Sequence, residues 1–120
     1  MAMVMKAHEY EVPCIYVNYS KDLDNASLFD EILWGMEEEG IPYEVNSLNI
    51  DSSEELSHLG AIKSKLAVGI GIDKNGKITL AYNKLKKETP LFTASLKDDE
   101  KVLRDLGANA GRLVKGIAFK

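Results

Sequence analysis

Asn75-Gly76 stands between two apolar stretches, Leu66–Ile72 (LAVGIGI) and Lys77–Ala81 (KITLA), and no other feature limits the fold of this chain as much. An Asn-Gly pair at such a place favours the positive φ angles of a tight turn, so the two stretches form an antiparallel hairpin. Ahead of it the chain alternates. Val12–Tyr19 (VPCIYVNY) is β-branched and aromatic and reads as a strand. Ser27 with Asp30 resembles a capping box, and Leu28, Phe29, Ile32, Leu33 and Met36 recur at helical spacing until Gly40-Ile41-Pro42 ends the helix. Tyr43–Leu48 is a second strand. A weaker helix opens at Asp51–Glu55 and runs to about Lys63, with Leu56, Leu59, Ala61 and Ile62 available for packing.

Behind the hairpin, Lys84–Thr89 reads as a solvated loop and Pro90–Ser95 as a short strand. Asp98-Asp99-Glu100 opens a final helix whose stripe is Val102, Leu103, Leu106, Ala110, Leu113, Val114 and Ile117. The order β-α-β-α-β-β-β-α predicts an α/β sandwich whose sheet is mostly parallel with one reversed strand. One domain over residues 1–120 is expected, with Met1–Glu11 as a leader. The 45% hydrophobic and 28% charged content suits a soluble globule, and the lone Cys14 permits no internal disulfide. No apolar run is long enough to span a bilayer, and the N-terminus lacks the apolar core of a signal peptide. A cytoplasmic location is expected.

Charge is divided along the chain. Residues 1–60 hold 13 Asp/Glu and 2 Lys/Arg, a formal charge of −11, while residues 61–120 hold 6 and 13, a charge of +7. The acidic half argues against nucleic-acid and anionic-membrane binding. Two explanations stand: the halves attract one another, or a charge-matched partner reads them.

Catalytic parts are scarce. His8, His58 and Cys14 are too scattered for a metal site, and Gly69-Ile70-Gly71 leads into Asp73 rather than a helix, so it is no phosphate-binding loop. Those glycines instead suit the close approach of a neighbouring element. Cys14 reads as a small core residue. Asp73–Gly76 has the wrong glycine position for a calcium loop, and no Walker, G-x-S-x-G or D-x-H-x-x-G motif occurs.

The first helix carries the candidate site. At about 100° per residue, Trp34 lies roughly 160° from Met36, and Glu31, Trp34 and Glu38 share one outward stripe. A tryptophan rimmed by carboxylates has the composition of an interface anchor, unless another element of the domain covers it. Glu37-Glu38-Glu39 crowds the helix C-terminus, where the dipole disfavours carboxylates by about 0.3–1 kcal/mol each. Either this is a solvated acidic cap, or a cation or basic partner relieves it.

Leu28–Pro42 (LFDEILWGMEEEGIP), Ala67–Ile70, Tyr82–Leu85 with Pro90-Leu91-Phe92, and Leu106–Phe119 (LGANAGRLVKGIAF) together resemble the small subunits of diol and glycerol dehydratase-reactivating factors. The medium subunit of the dehydratases shares parts of the pattern. The resemblance implies an α/β/α three-layer sandwich with a five-stranded mixed sheet. It further implies a non-catalytic subunit of a chaperone-like factor, which docks on and off a large ATPase subunit so that damaged adenosylcobalamin leaves a B12-dependent dehydratase. In that family the middle glutamate of the E-E-E run, here Glu38, ligates a divalent cation, Mg²⁺ or Ca²⁺, at the junction with the large subunit. The interface would then include Glu31, Trp34 and Glu38, and the isolated chain would tend to form a homo-oligomer. The departures are the leader, Gly111 in place of a common alanine, and Lys86–Thr89 in place of a proline-containing loop. The competing expectation is a free-standing α/β module that binds a small ligand at the C-terminal edge of its sheet.

Overall fold

The computed structural model describes residues 12–24, 29–86 and 89–120. Its elements run β1 (Ile15–Ser20), α1 (Asp30–Glu38), β2 (Tyr43–Leu48), α2 (Ser53–Lys63), β3 (Val68–Ile72), β4 (Lys77–Tyr82), β5 (Phe92–Ser95) and α3 (Glu100–Lys115). The five strands form one sheet in the order β2-β1-β3-β4-β5. β1 is parallel to β2 and β3, while β4 is antiparallel to both its neighbours and is the reversed strand. The expected α/β/α sandwich is therefore the fold. The leader and Ser27 lie outside the described residues, and α1 starts after Phe29 without a side-chain cap. β5 is shorter than its apolar run, since Pro90 cannot donate to a ladder.

The layering follows from the handedness of the crossovers. The chain leaves β1 for β2 on one side and returns over β1 to β3 on the other, so two right-handed connections place α1 and α2 on opposite faces. On the α1 face, Ile15, Val17, Ile70, Ile72, Ile78 and Leu80 pack with Phe29, Ile32, Met36, Leu103 and Leu106 in one continuous core. The hairpin between β3 and β4 turns over Asp73–Gly76, with only Gly76 of the Asn-Gly pair at positive φ (+88): its amide donates to the Asp73 carbonyl, while Asp73 Oδ1 accepts from the Asn75 and Lys77 amides.

The α2 face has a different chemistry. The backbone of α2 lies directly on β3, and a Cβ on Gly69 or Gly71 would collide with main-chain atoms of Ser53, Ser57 and Ala61. Buried polar groups lock the contact: the Thr79 hydroxyl hydrogen-bonds the Ser53 carbonyl (2.7 Å) and the Ser57 hydroxyl (2.8 Å), and Asn18 Nδ2 donates to the Leu56 carbonyl (3.0 Å). This corrects the sequence reading of α2. Leu56 and Ala61 are buried, but Leu59 is 40% and Ile62 54% exposed, because the helix turns its serines and Gly60 to the sheet. Val102 and Ile117 likewise leave the predicted stripe of α3 and are exposed; Ile117 lies past the helix, which Gly116 ends at φ +71.

α1 and α3 cross at equal proximity. A Cβ on Gly35 would strike the Arg104 carbonyl, and one on Gly107 would strike the Ile32 carbonyl. Alanine is the better helix former by about 1 kcal/mol, yet overpacking against main chain costs about 1–3 kcal/mol or more, and packing decides the sign. Gly107→Ala is expected to lower the stability measured by urea unfolding by about 2 kcal/mol. Lys101→Ala, on the exposed side of the same helix, is expected to change it by less than about 0.5 kcal/mol.

Candidate functional site: a helix stripe and the arginine across it

The stripe Glu31, Trp34, Glu38 runs along α1 where that helix meets α3. Trp34 is 45% exposed, as its helical angle predicts. Its carboxylate neighbours are joined to α3 by one side chain. Arg104 directs Nε and Nη2 at Glu31 Oε1, each at 2.9 Å, and donates from Nη1 to Glu38 Oε2 at 2.7 Å. The guanidinium carbon also lies 5.5 Å from the centre of the Trp34 ring, within the range of a cation–π contact. Burial works against the charge of Arg104, but its hydrogen bonds to Glu38 and Glu31 outweigh this and raise its pKa further. Nothing in the sequence pattern singled out Arg104; its proximity depends on the Gly35–Gly107 crossing.

The other glutamates of the run also have partners. Glu37 accepts a 2.6 Å hydrogen bond from the Tyr43 hydroxyl, and burial together with this bond pushes the Tyr43 pKa far up. Glu39 is bound by Lys115 Nζ (2.5 Å) and Arg112 Nε (3.0 Å), and its side chain is 9% exposed. The lysine hydrogen bond holds its carboxyl below the usual range against the opposing effect of burial, and the arginine adds to it. Gly111 makes room, since a Cβ there would lie 2.7 Å from that of Glu39. The unfavourable dipole at the end of α1 is thus offset by the basic end of α3.

The same holds across the molecule. Glu31 and Glu38 with Arg104, Glu39 with Arg112 and Lys115, Asp51 with Lys74, and Glu54 with Lys77 all join an acid of the first half to a base of the second. The two halves of the chain do attract one another.

Arg112 and Asn109 extend the site by holding the tail: Arg112 Nη1 donates to the Ala118 carbonyl, Asn109 Oδ1 accepts from the Lys120 amide, and Phe119 meets Phe92 edge-on at 5.1 Å. Lys120 Nζ then stands 4.0 Å from Glu38 Oε1 and from Asp105 Oδ1. Glu31, Glu38, Arg104, Asp105 and Lys120 line a surface depression of about 490 Å³.

Among the described residues, no three of His, Cys, Asp and Glu converge to hold a metal ion. Glu38, 45% exposed in its side chain, supplies one carboxylate whose Oε2 is taken by Arg104. That donor set fits a hard divalent cation only if the rest of its shell comes from water or another chain. Cys14 is buried, and desolvation, reinforced by the charge of Glu44, pushes its thiol up to about 11, so it has no thiolate to offer at neutral pH. A second hollow, of about 720 Å³, lies over β2 beside α2 and is lined by Tyr16, Asn18, Leu48, Leu59 and Ile62 among others. No described helix is long and apolar enough to cross a membrane.

Both the sequence and the layers match those of known proteins. The model of the dehydratase medium subunit family matches residues 12–120, and the chain belongs to that family. Within it, the chain is 36% identical to the propanediol dehydratase-reactivating factor small subunit of Salmonella typhimurium over 111 residues, 92% of this chain and 93% of that one. It is 38% identical to the corresponding Citrobacter freundii subunit over 93 residues, covering 78% and 79%. Among solved structures it superposes on a glycerol dehydratase reactivase with TM-score 0.87 and 35% identity, covering 90% of this chain and 96% of that one. A diol dehydratase-reactivating factor complexed with ADP and Mg²⁺ gives TM-score 0.84 and 35% identity, covering 91% and 98%. The likeness to reactivating-factor small subunits read from the sequence is therefore correct.

Two expectations follow. Glu39→Gln is expected to lower stability by about 1 kcal/mol near neutral pH, the solvent-facing sides of Arg112 and Lys115 limiting the loss. Because the folded pKa of Glu39 is depressed, its contribution is full above the ordinary carboxylate value of 4.5 and is lost as pH falls through the folded value. Urea unfolding at pH 7 and pH 3 should show wild type and variant converging in acid. Cys14 should resist iodoacetamide at pH 7.5 in the native chain and react in urea.

Proposed function

We propose that this chain is the small, non-catalytic subunit of a factor that reactivates a B12-dependent diol or glycerol dehydratase. It docks on and off a large ATPase subunit, and its departure exposes the surface with which that subunit grips the inactivated enzyme and releases damaged adenosylcobalamin. The observation that carries the reading is the near end-to-end match, in sequence and in layers, to reactivating-factor small subunits. The scarcity of catalytic side chains is consistent with it.

The docking face in this reading is the α1–α3 seam with Glu31, Trp34 and Glu38. Trp34 supplies an exposed apolar anchor, and Glu38 supplies one oxygen ligand to a Mg²⁺ or Ca²⁺ ion whose other ligands come from the large subunit and water. The free-standing module would bind its ligand at the C-terminal edge of the sheet, and it predicts a rise in melting temperature of the isolated chain with nucleotide or cobalamin.

Co-purification with the large subunit is the test. Glu38→Gln is expected to weaken the complex about tenfold and to blunt its response to divalent cation. Glu55→Gln, an exposed charge on the other face, should leave both unchanged; it is a cleaner control than Glu37, which carries the Tyr43 hydroxyl. A chain that never associates, with reactivation proceeding equally well without it, refutes the proposal. Without its partner, the chain is expected to self-associate weakly through Trp34, measurable as concentration-dependent sedimentation that Trp34→Ala abolishes.

A further inference from the structure

We propose that Arg104 competes with the docking cation for Glu38 and so sets how much divalent cation the contact with the large subunit requires. The inference rests on the reading of Glu38 as an interface ligand and concerns how that ligand is held before docking. Arg104 has three attachments, and only one involves Glu38. Its paired hydrogen bonds to Glu31 Oε1 and its position against the Trp34 ring hold the guanidinium over α1 by themselves. Glu31 is the more enclosed carboxylate, 18% exposed in its side chain against 45% for Glu38. Glu31 is thus the fixed end of the bridge, and the 2.7 Å bond from Nη1 to Glu38 Oε2 is the end that can open without releasing the arginine.

Two physical effects oppose the cation while that bond is closed. One lone-pair region of Oε2 is occupied, and a guanidinium within a few ångströms repels a second positive charge; Lys120, 4.0 Å from Oε1, adds to the repulsion. Arg104 also serves the free chain, because together with Lys120 it neutralises a carboxylate that faces the negative end of the α1 dipole. Docking then exchanges one cation for another at Glu38, with Glu31 and Trp34 keeping the displaced guanidinium in place.

Glu31 and Arg104 belong to one ion-pair network, so a purely structural role predicts that loss of either weakens the complex in the same direction. Competition predicts opposite directions. The Mg²⁺ concentration at half-assembly of the full chain with the large subunit, measured at constant ionic strength, is the readout. Arg104→Gln is expected to lower that midpoint about three- to tenfold, and Arg104→Met, which keeps the stem against Trp34, should do the same. Glu31→Gln, which leaves Arg104 to Glu38 alone, should raise it by a similar factor. Arg104→Lys restores the charge and should bring the midpoint back toward wild type. An unchanged or raised midpoint in both Arg104→Gln and Arg104→Met, or a shift in the same direction for Glu31→Gln, overturns the competition while leaving Glu38 as a ligand. If assembly ignores Mg²⁺, or if Glu38→Gln responds to it as wild type does, the ligand reading itself falls and the competition with it.

Discussion

The structure depends on the main-chain approach of α1 and α3 at Gly35 and Gly107. Each glycine faces a carbonyl of the other helix, and any side chain at either position would push the helices apart. Because they touch, the flanks that carry Glu31, Glu38 and Glu39 on one helix and Arg104, Arg112 and Lys115 on the other lie within the reach of single side chains. The apolar core beneath sets the helices on the sheet, but this crossing decides which charges meet.

The opposite face of the sheet uses the same device with other chemistry. Gly69 and Gly71 let α2 settle onto β3, and serine, threonine and asparagine side chains satisfy the groups that this burial removes from water. A buried polar contact costs stability unless it is fully hydrogen-bonded, so it favours one register of helix on strand over its neighbours. The two faces thus divide the work: the α1–α3 side buries the large apolar residues, and the α2 side holds the sheet by close approach and matched hydrogen bonds.

Much of this was legible in the residues. The hairpin was readable because Asn-Gly is a local signal, and the outward direction of Trp34 because helical geometry fixes it. The close neighbour of Gly69 and Gly71 was foreseeable from two glycines in a buried strand. The packing face of α2 was not: a helix that buries Ser53, Ser57 and Gly60 while exposing Leu59 and Ile62 contradicts the apolar periodicity by which a face is chosen. Arg104 was hidden for another reason. Its role is set by residues 66 and 73 positions away, and charge pairing between distant helices leaves no periodic trace. The division of charge between the halves was visible, but only the fold shows which acids meet which bases.

The three glutamates that end α1 show how one electrostatic cost can be met in three ways. Glu37 accepts a phenolic hydrogen bond, Glu39 is enclosed between two cations, and Glu38 shares an arginine with Glu31 while remaining nearly half exposed. Only the last arrangement can be undone cheaply. Freeing Glu39 would strand a largely buried carboxylate, and freeing Glu37 would break its 2.6 Å bond with the buried Tyr43, whereas Glu38 can exchange its partner at the surface where water screens the intermediate state. The proposed docking role would require a charge that is paired when idle and available on demand, and of the three only Glu38 has a partner that can be exchanged at the surface.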